Sequence, residues 1–115
     1  MRLDKILVVV ALALVVGYLL VTRSASVSGS DARRLVEAGA LLVDVRTPAE
    51  FGGGHIAGAI NIPVQELEPR MSELRDKGRP IVLYCRSGSR SATAARVLSG
   101  AGYTDVHNLG AMSNW

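Results

Sequence analysis

The feature that most constrains the fold is a strand-like run that passes through one cysteine into a helix-like run. Residues 81–84, Ile-Val-Leu-Tyr, are typical of a buried strand, and Cys85 is the only cysteine of the chain. Cys85 to Arg90 forms a short polar loop, and the alanine-rich residues 91–98 favour a helix. A sulfur at this junction faces unpaired N–H groups and the positive end of the helix dipole. The pattern therefore predicts a strand–loop–helix unit that presents Cys85 as a thiolate.

Cys85 is accordingly the candidate nucleophile. Thiolates at helix N-termini have depressed pKa values and react at neutral pH. Arg86 and Arg90 add positive charge to the same loop, so we expect the site to bind an anion. The alternative is a buried structural cysteine, since free cysteines are often buried. Two arginines, a glycine and three serines around the sulfur argue against a purely apolar environment.

Composition excludes several other classes of protein. A length of 115 residues predicts one domain, and a net charge of +3 is too weak and scattered to indicate nucleic-acid binding. A single Phe and a single Trp offer no stacking platform for bases. One cysteine excludes an intramolecular disulfide, and His55 and His107 are too isolated to form a metal site. We therefore expect neither a metal nor a cofactor.

The chain begins with an apolar leader. Ile6 to Val21 contains no charged residue, and as a helix it would be about 25 Å long. That length is slightly short for a bilayer core and slightly long for the apolar region of a signal peptide. We expect residues 1–23 to be a membrane anchor, with a cleaved signal peptide as the alternative, and the domain to lie in the cell envelope outside the cytoplasm. Residues 24–29 are predicted to be a flexible linker before a domain at 30–115.

Helix and strand patterns alternate through that domain. Ser30 is a candidate N-cap, and Thr47-Pro48-Ala49-Glu50 is a capping box with proline at the first helical position. The predicted elements are a helix at 31–38, a strand at 41–45, a short helix from 48, a strand at 56–62, a helical stretch at 64–74 split by Pro69, a strand at 81–84, a helix to 99 and a strand at 106–109. This order predicts a doubly wound parallel α/β sheet, in which ligands bind at the carboxyl ends of the strands.

Three ordered motifs in residues 30–115 resemble those of the rhodanese domain family. The first motif consists of Asp44-Val45-Arg46, Glu50-Phe51 and Gly54-His55-Ile56-Ala57-Gly58-Ala59-Ile60-Asn61-Ile62-Pro63. The second is the loop Cys85-Arg86-Ser87-Gly88-Ser89-Arg90-Ser91. The third is Gly110-Ala111-Met112 with Trp115. The resemblance implies a parallel sheet of about five strands with helices on both faces. It also implies a sulfurtransferase, in which Cys85 takes a sulfane sulfur from thiosulfate or a similar anion. The resulting persulfide passes that sulfur to cyanide or a thiol.

The resemblance assigns roles to the residues around Cys85. The loop residues are expected to bind the substrate: Arg86, Ser87, Gly88, Ser89, Arg90 and Ser91. Ser89 and Ser91 are also candidates for capping the helix that follows. Asp44, Arg46, Glu50 and His55 are expected to support the loop, with Arg46 paired to Glu50 or a nearby carboxylate. Family members continue past the residue that matches Trp115, so one edge of the fold is expected to be less covered.

Two other functions stay open at this stage. One is a carrier or anion-binding module that holds a persulfide without turnover. The other is a phosphatase, because related phosphatases share the family's fold but have a loop one residue longer. Cys85 to Arg90 spans six residues, which is the sulfur-transferring length by resemblance.

Overall fold

The computed structural model describes residues 2–22 and 25–115, and its first helix, α1, spans Arg2–Thr22. Within these ranges no helix is both long enough and apolar enough to cross a bilayer. The predicted membrane anchor therefore finds no support in the described residues, and the location of the domain stays a prediction. Met1, Arg23 and Ser24, which belong to the predicted leader and linker, lie outside the described residues.

A parallel sheet of five strands organises the rest of the chain, in the order β1-β5-β4-β2-β3. The strands are β1 Ala25–Ser26, β2 Leu41–Asp44, β3 Ile60–Asn61, β4 Ile81–Cys85 and β5 Val106–Ala111. The helices are α2 Gly29–Glu37, α3 Pro48–Gly52 and α4 Ser89–Gly100, with 3-10 helices at Val64–Glu66, Met71–Leu74 and Met112–Asn114. The predicted parallel α/β architecture is confirmed.

The core lies on both faces of the sheet, and β4 contributes to each. Ile81, Leu83 and Cys85 point into the layer beneath α4 and the first two 3-10 helices. Val82 and Tyr84 point into the layer beneath α2, together with Leu42 and Leu109. All five residues of β4 are fully buried. A strand buried on both faces reads as a continuous apolar run, which is why β4 was easy to predict.

The predicted linker is partly wrong, because it contains the edge strand β1. Ala25 and Ser26 pair with His107 and Asn108 of β5, and the Val27 N–H donates to the Asn108 carbonyl at 3.0 Å. The helix that follows also begins earlier than predicted. Ser28 rather than Ser30 caps α2, and its hydroxyl accepts from the Asp31 N–H. Both residues are serines in one polar stretch, so local sequence does not distinguish them.

The segment between β3 and β4 is less regular than predicted. The strand expected over 56–62 is reduced to Ile60–Asn61, and the helical stretch at 64–74 is two 3-10 helices on either side of Pro69. Proline lacks an N–H and disfavours a helical conformation in the residue before it. The segment nonetheless buries Leu67 and Leu74 completely beside α4.

Candidate active site

The site is built where β4 ends and α4 begins. Cys85 is the last residue of β4 and is fully buried, and α4 starts four residues later at Ser89. Gly88 makes the turn with a φ of +103°, a backbone conformation that residues with a side chain rarely adopt. A Cβ atom at Gly88 would meet only ordinary contacts, so backbone conformation rather than space favours glycine here.

Two groups of the loop contact the sulfur directly. The Gly88 N–H donates to Cys85 Sγ at 2.9 Å, and the Ser91 hydroxyl oxygen lies 3.5 Å from Sγ. The same Ser91 hydroxyl donates to the Gly88 carbonyl at 3.1 Å. Ser91 is fully buried. Its single proton serves either the Gly88 carbonyl or a sulfur anion, so ionisation of Cys85 would turn the hydroxyl toward Sγ.

These contacts lower the pKa of the Cys85 thiol. Burial opposes ionisation, but the Ser91 hydroxyl and the backbone N–H groups of Ser91, Gly88 and Ser87 outweigh it. The net shift is below the ordinary value of a cysteine. The N-terminus of α4 acts in the same direction, since its dipole favours negative charge. The predicted activated cysteine therefore has a geometric basis.

Arg90 is held by a carboxylate from another part of the chain. Its guanidinium donates to both oxygens of Glu50, at 2.7 and 3.0 Å. Glu50 also accepts from the Thr47 N–H and hydroxyl in the capping box of α3. Hydrogen bonds from Arg90 and Thr47 lower the pKa of Glu50 to about 2. The sequence analysis expected Arg46 to pair with Glu50 or a nearby carboxylate. The structure places Arg46 opposite Asp44 and Arg90 opposite Glu50.

Arg86 has a different environment from Arg90. Its side chain is exposed, as are those of Ser87 and Ser89. Among the described residues, Arg86 makes no ion pair, whereas Arg90 and Arg46 each have a carboxylate partner. Ser89 and Ser91 were expected to line the site or to cap the helix. Within the described residues α4 has no side-chain N-cap bond, and Ser91 contacts the sulfur.

A buried ion pair lies at the carboxyl end of β2. The Arg46 guanidinium binds both carboxylate oxygens of Asp44, with contacts from 2.6 to 3.0 Å, and donates to the Gly54 carbonyl at 2.7 Å. Asp44 is fully buried and Arg46 is 6% exposed. Asn61 donates to the carbonyls of both residues at 3.0 Å. The pair therefore joins the ends of β2 and β3 to the loop that contains Gly54.

Tyr84, which the sequence analysis did not select as a supporting residue, completes this network. Its hydroxyl accepts from the Ile56 N–H at 3.1 Å, and the Arg46 guanidinium lies 5.7 Å from its ring centroid. Burial, with the nearby Asp44 carboxylate, raises the pKa of Tyr84 to about 12. The hydroxyl of a buried tyrosine usually has a hydrogen-bond partner. Because the sequence predicts a buried strand at Tyr84, it could have indicated that this hydroxyl contacts another segment. Tyr84 directly precedes Cys85, so the network fixes the end of β4.

His55 lies on the loop that Arg46 and Tyr84 hold. Its Nδ1 lies 2.9 Å from the Phe51 carbonyl, and its ring stacks on that of Phe51 with centroids 3.6 Å apart. Because a carbonyl only accepts, Nδ1 carries a proton in this contact. The geometry fits a residue that fixes the loop, which is the role expected from the sequence, and the side chain is exposed.

The end of β5 lies beside the cysteine. Ala111 pairs with Cys85 and Gly110 with Tyr84, after a shift in register at Leu83. Gly110 adopts a φ of +85°, and the Asn114 amide donates to the Leu109 carbonyl at 3.0 Å. Thus the three sequence motifs, which are far apart in the chain, meet at one end of the sheet.

Comparisons with known proteins agree with this arrangement. The family model for the Rhodanese-like domain matches residues 28–115. A protein named Sulfurtransferase from Allochromatium vinosum is 49% identical over 69 residues, which are 60% of this chain and 64% of that protein. Thiosulfate sulfurtransferase PspE from Escherichia coli is 38% identical over 73 residues, which are 63% of this chain and 70% of that protein.

Solved structures show the same likeness. An E. coli structure described as a rhodanese with anions is 36% identical and has a TM-score of 0.64, covering 67% of this chain and 92% of that chain. The chain spans less than two thirds of the length of the Allochromatium protein.

Proposed function

The chain belongs to the rhodanese family, and on that premise we propose that it is a sulfurtransferase that carries sulfane sulfur as a persulfide on Cys85. The observation that carries this proposal is the environment of the sulfur. Cys85 Sγ accepts from the Gly88 N–H, lies beside the Ser91 hydroxyl and has a lowered pKa at the N-terminus of α4. A thiolate at neutral pH is the form that sulfur transfer requires.

In the first half-reaction the thiolate attacks the outer sulfur of an anionic donor such as thiosulfate. A bond forms between Cys85 Sγ and that sulfur, the sulfur–sulfur bond of the donor breaks, and sulfite leaves with the electron pair. No proton is transferred, so the site needs no general base. This fits the position of His55, whose protonated Nδ1 is engaged by the Phe51 carbonyl.

The persulfide that results carries negative charge on its outer sulfur. The loop N–H groups and the dipole of α4 provide positive partial charge for it. In the second half-reaction cyanide, or the thiolate of an acceptor, attacks the outer sulfur and Cys85 leaves as a thiolate. Charge is balanced in both steps, and the enzyme returns to its starting form.

The relatives support this assignment at the level of the family. PspE is named a thiosulfate sulfurtransferase, and the E. coli rhodanese structure is described with anions. The loop of this chain, with N–H groups converging on the sulfur and arginines on its rim, is suited to an anionic donor. The donor and acceptor themselves belong to the proposal.

The test is steady-state transfer by the full chain from thiosulfate to cyanide, followed as thiocyanate. We expect Cys85→Ser to lose activity by at least about a thousandfold, because a serine hydroxyl is not ionised at neutral pH. Thr93→Ala on the exposed face of α4 is the matched control and should retain activity. Circular dichroism shows whether each variant is folded. Full turnover by a folded Cys85→Ser variant would end the proposal.

The same experiment separates an enzyme from a carrier. A sulfurtransferase gives many thiocyanate molecules per protein molecule. A persulfide carrier loads one sulfur and releases it once, without turnover on cyanide. That outcome would keep Cys85 as the sulfur site and withdraw the enzymatic activity.

A further inference from the structure

A shallow groove lies between the second half of α4 and the segment that contains the first two 3-10 helices. Its volume is about 420 Å³, and its apolar lining comes from Met71, Val97 and Ala101. These three side chains are half-buried and pack on the core layer beneath α4. Glu68 and Arg96, both exposed, line the same groove. This surface, which we call the α4 groove, therefore combines an apolar centre with one acid and one base.

Both charges of the α4 groove lack an ionic partner within residues 2–22 and 25–115. The glutamates on either side of Glu68 along the segment both bind Arg70, whereas Glu68 itself forms no ion pair there. Arg96 donates to the Thr93 hydroxyl at 3.2 Å and has no carboxylate partner in the same ranges. The two charges are therefore available to an approaching molecule.

A second groove of similar size, beside α2, differs in this respect. Its charged groups are satisfied by their own chain, because Arg34 pairs with Asp31 at 3.3 Å and His107 contacts Asp105. Charges that are already paired offer less to a partner. The α4 groove is the surface on which complementary charges remain to be matched.

A surface that carries both an acid and a base can complement itself. In a dimer with two-fold symmetry the same patch of both copies forms the interface, so every contact occurs twice. Glu68 of one copy then faces Arg96 of the other, the reverse contact forms as well, and the apolar linings meet between them. A strongly acidic or basic partner would instead meet one like charge. We propose that the α4 groove is the contact surface between two copies of this chain.

This dimer leaves both cysteine sites accessible. Arg96 is seven residues beyond Ser89, where α4 begins beside the Cys85 loop, and this places it about 10 Å along the helix axis. The interface therefore lies toward the end of α4 that is remote from the sulfur. We expect sulfur transfer per subunit to be the same in the monomer and the dimer, so the inference does not depend on the proposed function.

Sedimentation equilibrium of the full chain at about 1 to 300 µM tests the dimer. Every sample contains a density-matched nonionic detergent, because α1 exposes apolar side chains such as Leu7 and Leu14 whose contacts must be kept apart from those of the groove. We expect a reversible dimer with a Kd in the micromolar range, since small interfaces are typical of weak and transient contacts.

Charge reversal tests the cause of the association. Glu68→Lys places a cation opposite Arg96 of the second copy, and Arg96→Glu places an acid opposite Glu68. Each change creates two like-charge contacts by symmetry and should weaken the dimer at least about tenfold. Glu37→Lys makes the same reversal at an exposed position of α2, on the other face of the sheet, and should leave the dimer unchanged.

An equal mixture of the two weakened variants provides the sharpest result. The introduced lysine of one chain then meets the introduced glutamate of the other, and the native Arg96 meets the native Glu68. We expect this mixture to dimerise about as well as the wild type. Circular dichroism and the thiocyanate assay show whether each variant keeps its fold and its activity.

Three results would overturn the inference. The first is a full chain that stays monomeric at the highest concentration. The second is a dimer that neither charge reversal weakens, because its contact then lies on another surface, such as α1. The third is a mixture of folded variants in which association does not recover.

Discussion

Two arginine–carboxylate pairs support the same end of the sheet, and they differ in burial and in what they hold. Asp44 and Arg46 form a pair whose side chains are 0% and 7% exposed, and it ties together the ends of β2 and β3 and the Gly54 loop. Glu50 and Arg90 are 26% and 31% exposed, and they tie α3 to the Cys85 loop. We call Asp44–Arg46 the inner pair, because it lies within the fold, and Glu50–Arg90 the outer pair, because it lies at the mouth of the site.

Because the two pairs differ in burial, we expect them to contribute differently to the stability of the fold and to its activity. Breaking a buried pair leaves a charge without a partner in a medium that solvates it poorly, so the free energy of unfolding falls. Breaking a half-exposed pair costs little stability because water replaces the lost contacts. The loop position and local charge, however, depend on the Glu50–Arg90 pair. We therefore expect the inner pair to control stability and the outer pair to control activity.

The largest effect is expected from Arg46→Ala, which leaves the Asp44 carboxylate buried without its partner. Loss of one member of a buried pair costs about 3–5 kcal/mol, a large share of the free energy of unfolding of a small domain. Denaturant unfolding measures it. Arg70→Ala is the matched control, because Arg70 pairs with Glu66 and Glu73 at a more exposed position and its loss should change little. An equal loss of stability in the two variants would contradict the claim that burial of the Asp44–Arg46 pair makes it important for stability.

A second variant, Glu50→Gln, tests the outer pair through pH. The pKa of Glu50 is lowered to about 2, so the contribution of its charge to stability is fully present above about pH 4.5 and is lost as the pH falls toward 2. We expect the difference in melting temperature between wild type and Glu50→Gln to be small and constant above pH 5 and to shrink below it. A difference that grows on acidification would contradict the assigned direction of the pKa shift.

The most local effect is expected from Ser91→Ala, which removes the hydroxyl beside the sulfur. Because that hydroxyl lowers the pKa of Cys85, its loss should move the pH profile of iodoacetamide labelling to higher pH and slow labelling at neutral pH. Stability should change less than in Arg46→Ala. Thr93→Ala, on the exposed side of the same helix, should leave the profile in place. An unmoved profile in Ser91→Ala would assign the pKa shift to backbone groups alone.

Local sequence patterns were sufficient to predict the strand–loop–helix unit that contains Cys85. The buried run of β4, the turn at Gly88 and the alanine-rich α4 each follow from residues that are neighbours in the chain. The capping box of α3 was predicted for the same reason, because Thr47 and Glu50 are three residues apart. Each of these signals comes from residues that are close together in the sequence, within one strand, turn or helix.

Contacts between distant segments could not be predicted from such patterns. Glu50 and Arg90 are 40 residues apart, so the sequence did not distinguish Arg90 from Arg86 as a candidate. Among the described residues, only Arg90 of the two forms an ion pair. The strand β1 has two residues and no hydropathy pattern, and it forms because the edge of β5 offers backbone groups for pairing. Ser91 showed no sequence feature that distinguishes a cap from a sulfur contact.

The most direct test of the central claim is the mass of the intact full chain before and after thiosulfate, and again after cyanide. We predict a gain of one sulfur atom that maps to Cys85, is removed by cyanide and does not occur in Cys85→Ser. A folded protein whose mass is unchanged by thiosulfate would contradict the claim that this site forms a persulfide.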